Sequence, residues 1–292
     1  MNLRIKRRKL KYYCLSLLFL LLILCYPLFI KNSSVQKINP HLMYVHYINV
    51  DQGDSILIQV NHKNILIDSG PKSEKKHLIN FLNTHNISTL DYVIATHPHD
   101  DHIGNMNTII NTYEVKSFYA PKVYSSTKSF ETMIDALKTH NLKINPISRG
   151  CNTINLGSNT YVEVFSPISD SYDNENNYSP VMKITFGNTS FLFTGDAETE
   201  IENALLSLND NLNCDVLKVG HHGSSSSTSE AFLKEVNPEY AVISVGKNNM
   251  YGHPNKDTLS RLKQSGINIF RTDLKNNITF ISDKNHISIK YS

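Results

Sequence analysis

Hydrophobic residues are distributed along this chain in two ways. From Tyr12 to Ile30, YYCLSLLFLLLILCYPLFI, they form one nearly continuous run without a charge, whereas from Met43 onward they come in short runs separated by polar turn formers. MYVHYINV from Met43, DSILIQV from Asp54 and NILIDSG from Asn64 are rich in β-branched residues, which predicts a meander of strands. Leu78, Ile79 and Leu82 follow helical spacing, and Ser73 and Glu74 suit a helix start, so residues 73–85 are expected to be helical. LDYVIAT, from Leu90 to Thr96, reads as a strand running directly into a histidine cluster.

The second half repeats the pattern. Val181 to Phe186 and Ser190 to Phe193 predict a hairpin around Gly187 and Asn188, followed by a helix from Glu198 to Leu208. Strands are expected over Asp215 to Val219 and Glu239 to Val245, a helix over Asn255 to Gln264, and short strands over 267–270, 277–281 and 287–289. SDSYDNENN, from Ser169 to Asn177, is a polar connector rather than a domain boundary. Strands alternating with helices predict an α/β domain whose apolar strands are buried between helix layers.

The long apolar run predicts a different kind of element. Its nineteen residues, at about 1.5 Å each, span roughly 28 Å, close to the hydrocarbon thickness of a bilayer. Arg4, Lys6, Arg7, Arg8, Lys9 and Lys11 precede it and Lys31 closes it, so the positive-inside tendency puts the N-terminus in the cytoplasm and the rest outside. A cleaved signal peptide has a shorter apolar core and a small-x-small cleavage site, where this chain has Leu24, Cys25, Tyr26 and Pro27. Leu24 also stands where a lipoprotein signal has a small residue. The expected organisation is a single-pass cell-membrane anchor over 1–31, a linker over 32–41 and an extracellular domain over 42–292.

That segment changes the meaning of the composition. The chain carries 29 Lys and Arg against 26 Asp and Glu, but 7 of the basic residues and none of the acidic ones lie in residues 1–31, leaving 22 against 26, a net −4, for the rest. A domain of net negative charge is not a general phosphate-coating surface, so affinity for nucleic acid has to come from a local patch or from bound metal. Of the four cysteines, Cys14 and Cys25 fall in the apolar run. Cys151 and Cys214 lack CxxC spacing and read as two buried or shielded thiols rather than a zinc site.

Three motifs fall at the C-terminal ends of expected strands, where α/β sheets build their sites. The densest is THPHDDHIGN, with His97, His99, Asp100, Asp101 and His102. Imidazoles with a carboxylate suit zinc, manganese or iron, and the two-residue step lets His97 and His99 face one ion while Asp101 and His102 face a neighbour. The other two are Asp196 in TGD, which taken alone also fits a turn or helix N-cap, and His221 and His222 in GHHGS. His253 in YGHPN is a candidate hydrogen-bond donor to a phosphate oxygen or leaving group.

These residues resemble the metallo-β-lactamase fold, whose HxHxDH signature is met at His97, His99, Asp101 and His102. The chain is more similar still to the extracellular hydrolase domain of the ComEC family of DNA-uptake competence proteins. Matching pieces include VDQGDSILI (Val50 to Ile58), LIDSG (Leu66 to Gly70), SFLFTGDAE (Ser190 to Glu198), DVLKVGHHGS (Asp215 to Ser224) and YGHPN (Tyr251 to Asn255), over about residues 43–290. The resemblance implies a four-layer αββα sandwich with the site along one edge, holding two divalent ions, zinc or manganese. It makes Asp101 a ligand and Asp100 the variable neighbour, Asp196 the metal-bridging aspartate, and His222, ahead of His221, the late histidine. Asp54 and Asp68 also match, in roles that hold a turn or orient a ligand histidine.

One departure stands out. Many members of the fold have a further histidine between the first motif and the bridging aspartate, but residues 141–195 contain none and His140 belongs to a predicted helix. Asn176, Asn177 and Ser179 are the nearest substitutes, so the position at His97 and His99 is expected to be one protein ligand short.

The implied chemistry is metal-assisted hydrolysis, with Asp101 and His253 as catalytic groups and a phosphodiester, in DNA or in phosphate-containing wall material, as first substrate. An acyl hydrolase for a lactam, lactone or thioester needs the same ligands plus an acyl pocket. A non-catalytic binding module is the third class. ComEC proteins carry a multi-helix channel whereas this chain shows one candidate span, so DNA transport is not among the expectations.

Overall fold

The computed structural model describes residues 38–291, together with Tyr13. The chain divides into two units, residues 1–37 with Thr84–Asn86 and residues 38–83 with 87–292; the architecture below is that of the second. The expected span over 12–30 lies, Tyr13 apart, outside the described residues, as does most of the expected linker. Among the described residues no helix is long and apolar enough to cross a membrane.

In chain order the strands are β1 (Met43–Tyr47), β2 (Ile56–Val60), β3 (Lys63–Ile67), β4 (Thr89–Ile94), β5 (Glu114–Ala120), β6 (Ile144–Pro146), β7 (Thr160–Val164), β8 (Met182–Phe186), β9 (Thr189–Phe193), β10 (Val216–Lys218), β11 (Tyr240–Ile243), β12 (Asn268–Arg271), β13 (Ile278–Ser282) and β14 (Ile287–Tyr291). They form an eight-stranded sheet in the order β14-β13-β1-β2-β3-β4-β5-β6 and a six-stranded sheet in the order β12-β11-β10-β9-β8-β7. Each sheet is mixed. Pairing is antiparallel from β14 through β3 and from β7 through β9. It is parallel from β3 to β6 and from β9 to β12.

Parallel neighbours need crossovers, and helices supply them. α1 (Lys75–Thr84), α2 (Asp100–Ile103), α3 (Met106–Thr112) and α4 (Lys128–Thr139) serve the first sheet; α5 (Thr199–Ser207), α6 (Glu230–Val236) and α7 (Lys256–Gln264) serve the second.

Period-two alternation sorts the strand residues into layers. Ile56, Ile58 and Val60 of β2 join Phe191, Phe193, Val216, Val242 and Phe280 in a core between the sheets. Their neighbours point the other way. Leu57, Leu66, Val93 and Phe118 pack with Leu78, Met106, Ile109 and Met133 of the first set of helices. Leu192, Leu217, Ala241 and Ile243 pack with Ile201, Leu205, Phe232 and Leu262 of the second. Three cores separate four layers, which is the expected αββα sandwich. Each fully buried Leu, Ile or Phe contributes about 1.5–3 kcal/mol over leaving it exposed, so a one-residue slip in any central strand is strongly disfavoured.

The strands end earlier than the apolar runs suggest. β3 stops at Ile67, β4 at Ile94, β10 at Lys218 and β11 at Ile243, and the residues just beyond them form the site. Asp68 shows the reason: at φ +58° it leaves the extended region, and the ladder breaks there.

Candidate metal centre

Register brings the motifs together. β9 and β10 run parallel with Phe193 opposite Lys218, so Asp196 and the His221–His222 pair, each a few residues further on, emerge side by side. β3 and β4 pair Ile67 with Ile94, which sets Asp68 beside Thr96. Asp68 accepts hydrogen bonds from Thr96 N (2.9 Å) and Thr96 Oγ1 (2.7 Å). His221 and His222 both lie in the left-handed region, at φ +46° and +52°, a conformation costing roughly 1–2 kcal/mol per residue. The strain is held by His221 N donating to Gly195 O (3.1 Å) and Ser224 N to His221 O (2.8 Å). Gly53 is needed for close approach, since a Cβ there would stand 2.2 Å from the Asp101 carbonyl oxygen.

The result is a set of imidazoles that turn one nitrogen inward and hand the other to an acceptor. His97 Nε2 faces His99 Nδ1 at 3.0 Å, and His102 Nε2 faces His222 Nε2 at 3.2 Å. The outward nitrogens are occupied. His102 Nδ1 donates to Asp68 Oδ2 at 2.7 Å, His222 Nδ1 to the Ser244 carbonyl at 2.9 Å, and His99 Nε2 lies 3.3 Å from Glu175 Oε2. His97 Nδ1 lies 3.1 Å from Thr96 Oγ1 and 3.3 Å from Ser179 Oγ. Asp196 Oδ2 lies among the inward nitrogens, 3.3 Å from His102, 3.4 Å from His222 and 3.9 Å from His97. Asp101 Oδ2 is 3.3 Å from His222 Nε2.

This donor set fits divalent metal. Nitrogen and oxygen ligands about 2.1 Å from one tetrahedral ion stand roughly 3.4 Å apart, a little more than the 3.0 and 3.2 Å between the facing imidazoles and matching the 3.3 and 3.4 Å from Asp196 to His102 and His222. Asp196 Oδ1 is buried without a hydrogen-bond partner, an orphan that a cation would satisfy. His97, His102 and Asp196 form one cluster of donor atoms within 4.8 Å, and Asp101, His102 and His222 another. His102 and Asp196 therefore stand with His97 as well as with Asp101 and His222, and, among the described residues, His99 meets the set only through His97 Nε2.

The electrostatics describe a metal-free cluster that stores protons. Burial favours neutral His222, but Asp196 and Asp101 overcome it and push its pKa up to about 10. His102 is likewise raised well above the ordinary histidine value, against burial, by Asp196, Asp68 and Asp101. His97 goes the other way, held low by burial and by His102. Burial would raise Asp101 and Asp196, yet the neighbouring histidines hold both below the usual carboxylate range.

Of the nearest substitutes for the missing histidine, Asn176 and Asn177 are engaged by glutamates and Ser179 supports His97 from behind. Asn177 Nδ2 donates to Glu200 Oε2 (2.6 Å) while its Oδ1 accepts from Glu198 N (3.1 Å), and Asn176 Nδ2 donates to Glu198 Oε1 (3.0 Å). Ser179 Oγ accepts from Asp196 N (3.1 Å) and backs His97. His140 stands just past α4, 2.9 Å from Asn111. His99, but not the buried His97, lines an open cleft of about 790 Å³ together with Asp101, Asp196, His221, His222 and His253. His221 is a further histidine beside the set, with Nε2 3.6 Å from Asp196 and Nδ1 3.2 Å from Glu198. The His253 ring lies 5.5 Å from that of His221. Asp100 is exposed on the rim.

Two contributors escaped the sequence reading. Glu175 backs His99 from inside a stretch that reads as an unstructured polar connector. Lys218 is fully buried, with Nζ 2.8 Å from Asp54 Oδ2, and Asp54 Oδ1 lies 3.6 Å from His222 Nδ1. The signal was available, because alternation in DVLKV turns Lys218 to the same inner face as Val216.

Comparison with known proteins agrees with the architecture. Residues 48–247 match the family model described as the metallo-beta-lactamase superfamily. The chain is 33% identical over 285 residues to ComE operon protein 3 of Bacillus subtilis (strain 168), covering 91% of this chain and 35% of that protein. It is 29% identical over 231 residues to competence protein ComA of Neisseria gonorrhoeae, covering 78% of this chain and 31% of the relative. These relatives are competence proteins of the ComEC family, and the chain spans about a third of their length. Among solved structures, the metallo-beta-lactamase fold protein YhfI of Bacillus subtilis superposes with a TM-score of 0.54 at 13% identity, covering 85% of this chain and 99% of that one. Igni18, a metallo hydrolase of Ignicoccus hospitalis, gives 0.54 at 16%, covering 82% and 98%. With a family match over residues 48–247, the chain belongs to the metallo-beta-lactamase superfamily.

Proposed function

We propose that this chain is a membrane-anchored, extracellular, metal-dependent phosphodiesterase that cleaves DNA or a related phosphodiester. One observation carries the reading: two facing imidazole pairs joined by Asp196 at the floor of an open cleft. The competence proteins among its relatives favour DNA over an acyl substrate. Six cations before the apolar run support an anchor with the domain outside.

His97, His99, Asp101, His102, Asp196 and His222 would hold the divalent metal, which would supply Lewis acidity and a water that ionises near neutral pH. The protein's own groups set the geometry. Asp101, its side chain 28% exposed, faces the cleft and orients the attacking water. Asp68 and the Ser244 carbonyl lock His102 and His222 in the tautomer with Nε2 inward. His253 is held below the ordinary histidine pKa by burial and by His221 and His222, so near pH 7 it is neutral and serves as a hydrogen-bond donor to a phosphoryl oxygen.

The test is a substrate panel on the full chain loaded with Mn²⁺ or Zn²⁺: single-stranded DNA, duplex DNA and bis(p-nitrophenyl) phosphate beside a lactam, a lactone and a thioester. Cleavage of the phosphodiesters is expected. Turnover confined to the acyl substrates replaces the reading with an acyl hydrolase, and no turnover with retained DNA binding makes the domain a binding module.

A further inference from the structure

The loop after β11 carries more apolar surface than its position requires. Met250 is 89% and Tyr251 62% exposed, although both line the cleft that contains Asp101, Asp196 and His222. The loop is not left to chance. The Asn249 side chain donates to Gly246 O (2.9 Å) and His253 O (2.6 Å) and accepts from Tyr251 N (3.2 Å) and His253 N (3.0 Å). One side chain thus ties both ends of the turn and fixes the backbone that carries Tyr251.

That ring also continues the site. Tyr251 lies nearly parallel to His253, at 18° and 5.8 Å, and His253 in turn stands 5.5 Å from His221, whose Nε2 is 3.6 Å from Asp196. Rings therefore lead step by step from the metal-binding residues to an open aromatic face. Among the described residues lining the cleft, Lys247 on this same loop is the one lysine or arginine, against Asp51, Asp100, Asp101 and Asp196. A phosphate on the metal side leaves Lys247 for a neighbouring phosphate and the Tyr251 face for whatever flat group lies between.

We propose that the substrate is an unpaired nucleic-acid strand, with Tyr251 stacking on a nucleobase next to the scissile phosphate; this rests on the phosphodiesterase reading above. A polyol phosphate has no flat group to offer the ring, and a duplex keeps its base faces covered. Base–aromatic stacking tolerates sequence, because every base has a π-face.

The experiment compares three DNAs of equal length on the metal-loaded full chain: a single strand, the same strand made abasic, and a duplex. The base-bearing single strand is expected to have about a tenfold or greater advantage in kcat/KM over the abasic one, expressed mainly in KM. Tyr251→Ala brings that ratio close to one and Tyr251→Phe keeps it. Equal cleavage of base-bearing and abasic strands, a duplex cut as well as the single strand, or a ratio indifferent to Tyr251→Ala overturns the stacking role while leaving the phosphodiesterase reading intact. Failure to cleave any of the three overturns both.

Discussion

Asp68 and His102 form a fully buried pair, the carboxylate Oδ2 2.7 Å from the imidazole Nδ1 and both side chains 0% exposed. Burial raises the Asp68 pKa against the pull of His102, so the pair's strength lies in orientation as much as in charge. Asp68→Asn keeps the shape but can present an amide N–H to Nδ1 and turn the tautomer. Metal titration by calorimetry is expected to show roughly 10–100-fold weaker binding; unchanged affinity would remove Asp68 from the site's support.

Asp100 and Asp101 are adjacent in sequence and differ in surroundings. Asp101 Oδ2 meets His222 Nε2 at 3.3 Å, while Asp100 is exposed in the first turn of α2, where its charge suits the helix N-terminus. Asp101→Ala is expected to abolish hydrolysis and Asp100→Ala to leave most of it. Equal losses in steady-state rates would show that the register of the motif has been misassigned.

Metal binding should be strongly pH-dependent. A metal-free His222 with a pKa near 10 is protonated at pH 7, and His102 is raised as well, whereas a metal ligand has to be neutral. Apparent affinity is expected to rise with pH, by up to about tenfold per pH unit for each proton displaced. Isothermal titrations in buffers of different ionisation heat will count those protons, and a count of zero at pH 7 contradicts the geometry.

The same groups shape the stability of the metal-free fold. His102 and His222, raised on folding, contribute fully below the unfolded histidine value and lose that contribution as pH climbs toward 10. His97, lowered on folding, costs stability as pH falls below the unfolded value, and the depressed Asp101 and Asp196 add to the acid-side loss. The cluster's contribution therefore peaks near about pH 6. Denaturant unfolding of metal-free chain across pH 5–10 should show the alkaline decline, and bound metal should remove it.

Lys218 and Asp54 are an ion pair without solvent, at 2.8 Å. Lys218→Met leaves the Asp54 carboxylate buried with only His222, 3.6 Å away, to balance it, which is expected to cost up to about 3–5 kcal/mol in urea unfolding. The Lys218→Met, Asp54→Asn double variant should recover a large part of that loss. Little recovery would mean that Lys218 stabilises the fold through its contact with the Val219 carbonyl rather than through Asp54.

The chain's own pattern determined a good deal. Period-two runs placed most strands within a residue or two at their starts, and the dense HxHxDH stretch announced a candidate metal site at a strand end. Local signals weakened where burial is incomplete: β6 is exposed throughout and β7 is mostly half-exposed, so neither stands out as a strand from periodicity. The structure decided what lies between distant segments. His102 meets His222 across 120 positions of sequence, Lys218 reaches Asp54 from the other sheet, Glu175 backs His99, and Asn177 turns to Glu200 and Glu198 rather than into the site. Hydrophobic alternation is a property of neighbouring residues and can be read along the chain. Which polar groups meet depends on how two sheets register and pack against each other, and that is decided only when the core between them closes.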